Sequence, residues 1–61
     1  MTEHRYEVGA QVTERATGTP GRVIERKWLV DLRPPAKPAT PAYVVIFLNG
    51  RVKNVPDAEL T

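Results

Sequence analysis

Six of the 61 residues carry the clearest chemistry: Arg22, Arg26, Lys27, Trp28, Arg51 and Lys53. Guanidinium and ammonium groups meet phosphate, and an indole offers a flat π face on which a base can stack. The run Arg26-Lys27-Trp28 sets two of those cations beside the only Trp in the chain. The competing reading is a partly buried core Trp with charged neighbours in water, because an indole is the largest source of buried area a short chain has. Nucleophilic catalysis has little to draw on. Ser and Cys are absent, and no Thr has a His nearby in sequence to activate it. The acids Glu3, Glu7, Glu14, Glu25, Asp31, Asp57 and Glu59 are scattered, with no pair that stands out as acid and base. His4 has no second His or Cys at ligand spacing and reads as a solvated side chain in a frayed terminus over residues 1–5. No catalytic residue, metal ligand or cofactor is assigned, and a domain of this size lacks the volume for a deep pocket. The expectation is a non-enzyme with no small-molecule substrate.

The net charge of +2 hides an uneven layout. Arg5 against Glu3, Glu7 and Glu14 makes the first fourteen residues −2, and Asp57 with Glu59 makes the last eight −2. Between them Arg15, Arg22, Arg26, Lys27, Arg33, Lys37, Arg51 and Lys53 face only Glu25 and Asp31, leaving +6. A basic centre between acidic ends attracts phosphate or an acidic protein surface, and it is also what ordinary solvated faces of a small barrel look like.

Such a short chain holds one domain, spanning residues 1–61, and buries only about 60% of the surface that its unfolded form exposes. Without Cys, neither disulfides nor a thiolate metal site can staple it, so oligomerisation or a bound partner remains as an aid. No apolar run approaches the about 20 residues of a membrane span, and the first residues lack a secretory apolar region. A soluble cytoplasmic location, away from membranes, is the default.

The elements that must position these side chains are organised around Tyr43-Val44-Val45-Ile46-Phe47-Leu48, a β-favouring run leading into Asn49-Gly50, after which residues 52–55 return. A two-residue turn there sets Leu48 opposite Arg51, Phe47 opposite Val52 and Ile46 opposite Lys53, so Tyr43, Val45, Phe47 and Val52 form the core face. Ala10 to Glu14 reads as a first strand centred on Val12. Residues 15–21 read as a loop with a turn at Pro20-Gly21. Gly18-Thr19-Pro20-Gly21 also fits a GxxG backbone clamp, but that fold needs flanking helices that the sequence does not offer. Arg22 to Leu32 reads as the second strand, or as two strand pieces with an irregularity between them, since its apolar residues change parity and a bulge near Arg26 would reconcile them. Residues 33–41, with four prolines, form an extended loop that excludes a central strand and includes a PxxP spacing suited to another protein's aromatic groove. Pro56-Asp57 favours a short helical turn, and Leu60 is placed to return an apolar side chain to the core.

On the far face of the main hairpin, Val44, Ile46 and Leu48 form an aliphatic row beside Arg51 and Lys53. Coverage by the Pro-rich loop comes first as its explanation. An interface with another protein or a second copy comes next, and a bulge that shifts the register is the third.

The pattern Val8-Gly9-x-x-Val12, Gly18-x-x-Gly21-x-Val23, Tyr43-x-Val45-x-Phe47-x-Asn49-Gly50 and Val55-Pro56-x-x-x-Leu60 resembles small SH3-like barrels, and most closely KOW and Tudor-like modules. The resemblance implies an all-β barrel of four to five bent strands with a helical turn before the last. It also implies binding to RNA, ribosomes or the transcription apparatus, or service as a small accessory piece. The chain is loosely similar to the plasmid-borne type II dihydrofolate reductase, in which a Val-Gln-Ile-Tyr strand lines the active site. Val52-Lys53-Asn54-Val55 stands at the matching place, so the substrate-contacting Gln and Tyr do not carry over. Three functions are therefore expected in order. The first is a nucleic-acid or transcription/translation-associated module using Arg22, Arg26, Lys27, Trp28, Arg51 and Lys53. The second is a protein-interaction or oligomeric module using Val44, Ile46 and Leu48, and the third is a reductase.

Overall fold

Four antiparallel strands follow one another across a single sheet in the order β1 (Gln11–Thr13), β2 (Pro20–Leu29), β3 (Thr40–Phe47) and β4 (Val52–Pro56). The computed structural model describes residues 3–35 and 37–61. The sheet curls into a half-barrel, and a 3₁₀ turn over Asp57–Glu59 swings the chain end back to β1. There Thr13 and Thr61 exchange both backbone hydrogen bonds, at 3.0 and 2.9 Å, and Glu14 bridges Leu60. The last residues thus pair briefly with the end of β1 and close that side of the half-barrel. As expected from sequence, the fold is all-β, with the helical turn at Asp57. Among the described residues no helix is long and apolar enough to cross a membrane.

The concave face holds Val12, Val23, Tyr43, Val45, Phe47, Val55 and Leu60, with Tyr6 packed against them. Across the sheet they fall into rows: Val12, Gly21 and Phe47, then Val23, Val45 and Lys53, then Tyr43 and Val55. Gly21 has to be glycine because it lies between two large neighbours. A Cβ there would stand 2.7 Å from Val45 Cγ1 and 2.9 Å from both the Ile46 carbonyl oxygen and Phe47 Cδ1. The turn expected at Pro20-Gly21 instead lies earlier. Gly18, at φ +71°, donates to the Glu14 carbonyl, and Pro20 opens β2 at a position where no amide donor is required. Gly18 and Gly21 therefore belong to different elements and form no clamp.

The β3–β4 connection corrects the predicted register by one residue. Phe47 N–H donates to the Arg51 carbonyl at 2.8 Å and Gly50 N–H to the Phe47 carbonyl at 2.9 Å, a three-residue loop in which Gly50 alone has positive φ, at +85°. Asn49 contributes through its side chain, whose Oδ1 accepts from Arg51 N–H at 3.0 Å. Ile46 consequently faces Val52, and Val45 faces Lys53. Because side chains alternate, that single step turns Val52 outward, 55% exposed, and brings Lys53 to the inner face. Phe47 is buried as expected.

A bulge does relieve the parity conflict in β2, but at Ile24, between Val23 and Glu25, two residues before the expected place. After it, Arg26 stands opposite Tyr43 and Trp28 opposite Pro41. Beyond that row β2 and β3 have no third strand among the described residues, because β4 pairs with β3 only as far as Ala42. The ends of the two strands, with residues 30–35 and 37–39, make an arm that leaves the barrel. The molecule measures 37 × 19 × 16 Å and its radius of gyration is 12.1 Å, against about 10.5 Å for a spherical chain of this length.

Candidate nucleic-acid interface

The root of the arm is organised by the first described residues, which do not fray. His4 Nε2 lies 2.7 Å from the Lys27 carbonyl and 3.2 Å from that of Ala42, so it is anchored to β2 and β3 at once. Its ring meets Trp28 nearly at right angles, with centroids 4.6 Å apart, and meets Tyr43 in the same manner at 5.2 Å. Tyr6 adds a third edge contact to Tyr43 at 5.5 Å. The expectation of a frayed segment over residues 1–5 is corrected for His4 and Arg5; Met1 and Thr2 lie outside the described residues. Local sequence gave no sign of this, since every contact that holds His4 comes from residues more than twenty positions away.

Behind the aromatic cluster lies a polar knot. The Tyr43 hydroxyl accepts from the amides of Arg5 and Tyr6, at 2.9 and 3.2 Å, and donates to Asp57 Oδ1 at 2.7 Å. Arg5 Nε donates to Asp57 Oδ2 at 2.7 Å, and its terminal nitrogen reaches the carbonyls of Asp57 and Leu60. Burial, and then the bond it donates to Asp57, push the Tyr43 hydroxyl above the ordinary tyrosine pKa. Asp57 likewise holds the Arg5 guanidinium in its charged form. These bonds tie the first residues to the last turn across the open end of the half-barrel.

Of the six residues singled out from sequence, three are brought together. Arg26 and Trp28 project from one side of β2 and Lys27 from the other, all at the root of the arm. Trp28 is 47% exposed and stands outside the core cluster. Neither Arg26 nor Lys27 makes an ion pair among the described residues. Further out, Arg33 and Lys37 extend the charge along the arm, with Arg33 held loosely at 3.3 Å by Asp31.

The other three lie elsewhere. Arg22 is on the convex face in a row with Gln11, Ile46 and Val52, at the rim of an open depression that Pro20 and Leu48 also line. Arg51 follows the β3–β4 loop. Lys53 is engaged on the inner face, with its ammonium 3.1 Å from Glu14 Oε2 and 5.9 Å from the centre of the Phe47 ring. Thr17, and next Lys53, hold the Glu14 carboxyl below its ordinary range. The row of Lys53 lies four positions along β3 from the row of Trp28, roughly 13 Å at strand spacing. The expected basic patch is therefore not one surface: Arg26, Lys27 and Trp28 share the root of the arm, and Arg22, Arg51 and Lys53 stand apart on different parts of the barrel.

The aliphatic row on the convex face is also altered. Val44 is partly buried between Glu25 and Asn54, Ile46 is 41% exposed beside Val52, and Leu48 belongs to the loop rather than to the strand. The Pro-rich loop does not cover this face, because it leaves from the Thr40 end of β3 while Leu48 follows the other end. Among the described residues no three His, Cys, Asp or Glu side chains converge. No family model, curated protein or solved structure matches this chain.

Proposed function

We propose that the chain is a small non-catalytic binding module that engages nucleic acid, or a nucleic-acid-bearing assembly, through the root of its β2–β3 arm. The observation that carries this reading is the grouping of Arg26, Lys27 and a half-exposed Trp28 on a projecting ribbon, with neither cation in an ion pair among the described residues. Uncommitted protein cations that neutralise phosphates release the counterions condensed on the nucleic acid, and the exposed indole adds contact with bases. Arg33 and Lys37 widen the same positive field along the arm. The resemblance to KOW modules points to the same class of partner.

Binding measured by fluorescence anisotropy of labelled RNA and DNA across a salt series tests it. Log affinity should fall by about 0.7 to 0.9 per log unit of salt for each phosphate contacted. Arg26→Ala should lower that slope by nearly one contact. Lys53→Ala should change it less, since Lys53 is already paired with Glu14. Absence of binding at low salt, or a flat salt response, refutes the reading. A second reading, a protein-interaction or oligomeric module, is favoured by one observation. Ile46 and Val52 are exposed side by side next to Leu48, and β4 has a strand partner on one side only among the described residues. Sedimentation that shows self-association abolished by Ile46→Asp would establish it.

A further inference from the structure

We infer that the nucleic acid taken by the arm is single-stranded, with an unpaired base stacked on Trp28, and that His4 is the residue that positions the indole. This rests on the functional reading above and narrows it to one class of ligand.

The argument starts from what a short chain does with its largest apolar side chain. A domain with so few core residues gains most by burying its Trp, yet the core is built from Val, Tyr, Phe and Leu while Trp28 stays 47% exposed. The exposed indole is not left to rotate freely. His4 contacts it at 4.6 Å and 71°, is itself anchored to the Lys27 and Ala42 carbonyls, and is followed by Arg5, which Asp57 clamps at 2.7 Å. An aromatic ring held from one side and wet on the other is a preorganised platform, which reduces the ordering cost of binding.

The charges beside it select the occupant. Arg26 lies on the same side of β2 as Trp28, about 6.6 Å along the strand, so a ligand seated on the indole runs past a guanidinium. That combination of anionic backbone and flat π face is found in nucleic acid. A duplex presents only base edges, with the faces stacked inside, whereas single strands and loops splay bases out onto aromatic side chains. Electrostatic attraction alone would serve either form. The platform serves only the unpaired one.

Because the chain has a single Trp, fluorescence excited at the red edge, where Tyr6 and Tyr43 do not absorb, reports on this site alone. The test titrates the full chain with oligothymidylate, with a strand of equal length carrying an abasic site in place of each base, and with a duplex of equal phosphate content. Oligothymidylate should quench Trp28 and bind at least tenfold more tightly than the other two. Followed by anisotropy of the labelled strands, since these variants lack the fluorophore, Trp28→Ala should weaken that binding roughly 5- to 150-fold, as loss of one stacked base implies, and Trp28→Phe should restore part of it.

His4→Ala should weaken binding several-fold while leaving the salt slope unchanged, since no phosphate contact is lost, and should increase the fast local motion of Trp28 in anisotropy decay. His4→Phe, which keeps an aromatic edge, should restore the slow motion. If His4→Ala does not fold, the three-probe comparison and the Trp28 variants still decide the matter. Equal binding of duplex and single strand, indifferent to Trp28→Ala, overturns this inference and leaves the broader reading standing. Failure of all three probes to bind at low salt overturns both.

Discussion

Replacing Tyr43 by Phe removes one oxygen atom and leaves every apolar contact of the ring in place. What is lost is the junction of three hydrogen bonds: the amides of Arg5 and Tyr6 lose their acceptor, and Asp57 loses a donor. A bond to a charged group contributes about 1.5 to 3 kcal/mol and each neutral bond about 0.5 to 1.5. Water reaches part of this cluster and replaces some of the loss, so the expected destabilisation is about 2 to 4 kcal/mol. The total stability of a chain this long is about 3 to 9 kcal/mol, and one oxygen therefore accounts for a large share of it. With a urea slope of about 1 kcal/mol per molar, the midpoint should fall by about 2 to 4 M, read from Trp28 fluorescence. Amide exchange at Arg5 and Tyr6 should accelerate more than exchange in the centre of β3.

The pH dependence follows with a definite sign. Burial, then the bond to Asp57, raise the Tyr43 pKa above its ordinary value of 10.0, so the folded chain holds this proton more tightly than the unfolded one. The stability from that difference is complete below pH 10.0 and is lost as pH rises through the higher folded value. Tyr43→Phe should lack this alkaline decline. A midpoint change below about 0.5 M in urea, with the decline intact, would refute the claim that this hydroxyl fastens the first residues to the last turn.

Two further predictions concern the barrel. Gly21→Ala should cost about 1 to 3 kcal/mol in the same urea titration, because the new methyl meets the Ile46 carbonyl, a backbone atom that cannot swing aside. In acid, the Glu14 carboxyl, held below its ordinary value of 4.5 by Thr17 and then by Lys53, contributes stability that is present above pH 4.5. That stability should be lost as pH falls through the lower folded value, and Glu14→Gln should flatten that part of an acid titration followed by circular dichroism.

The strands of the main hairpin were legible because β-branched and aromatic residues crowd residues 43–47, and the closing turn because Pro56-Asp57 precedes a single apolar Leu60. Register was not. Val52 and Val55 are three apart and cannot share a face, so one of them had to turn outward, and the choice depended on loop length. Asn49-Gly50 accepts both a two-residue and a three-residue loop; the fold takes the latter and sets Val55, not Val52, against Tyr43. Lys53 is tolerated on the inner face because its ammonium lies at the mouth, over the Phe47 ring and against Glu14. Adjacency alone made Arg26, Lys27 and Trp28 legible as a group. His4 was illegible because long-range packing fixes it, and a lone His near a terminus carries no local signature.

The acidic ends of the chain acquire a meaning in three dimensions that the linear charge pattern only hinted at. Asp57 and Glu14, one from each end, fold onto the barrel and are spent on Arg5 and Lys53. The barrel segments outside residues 26–40 carry Glu3, Glu7, Glu14, Glu25, Asp57 and Glu59 against Arg5, Arg15, Arg22, Arg51 and Lys53, a balance of −1. Residues 26–40, which form the arm and its root, carry Arg26, Lys27, Arg33 and Lys37 against Asp31, or +3. Folding thus converts a pattern along the chain into a separation in space, with a near-neutral body and a positive projection. A polyanion approaching such a molecule is steered to the projection, since exposed charges beyond about 8 Å are screened at physiological salt and the body offers little net attraction. Trp28 stands where that projection leaves the body, which is where the proposed single strand, once steered, would meet the indole that His4 contacts.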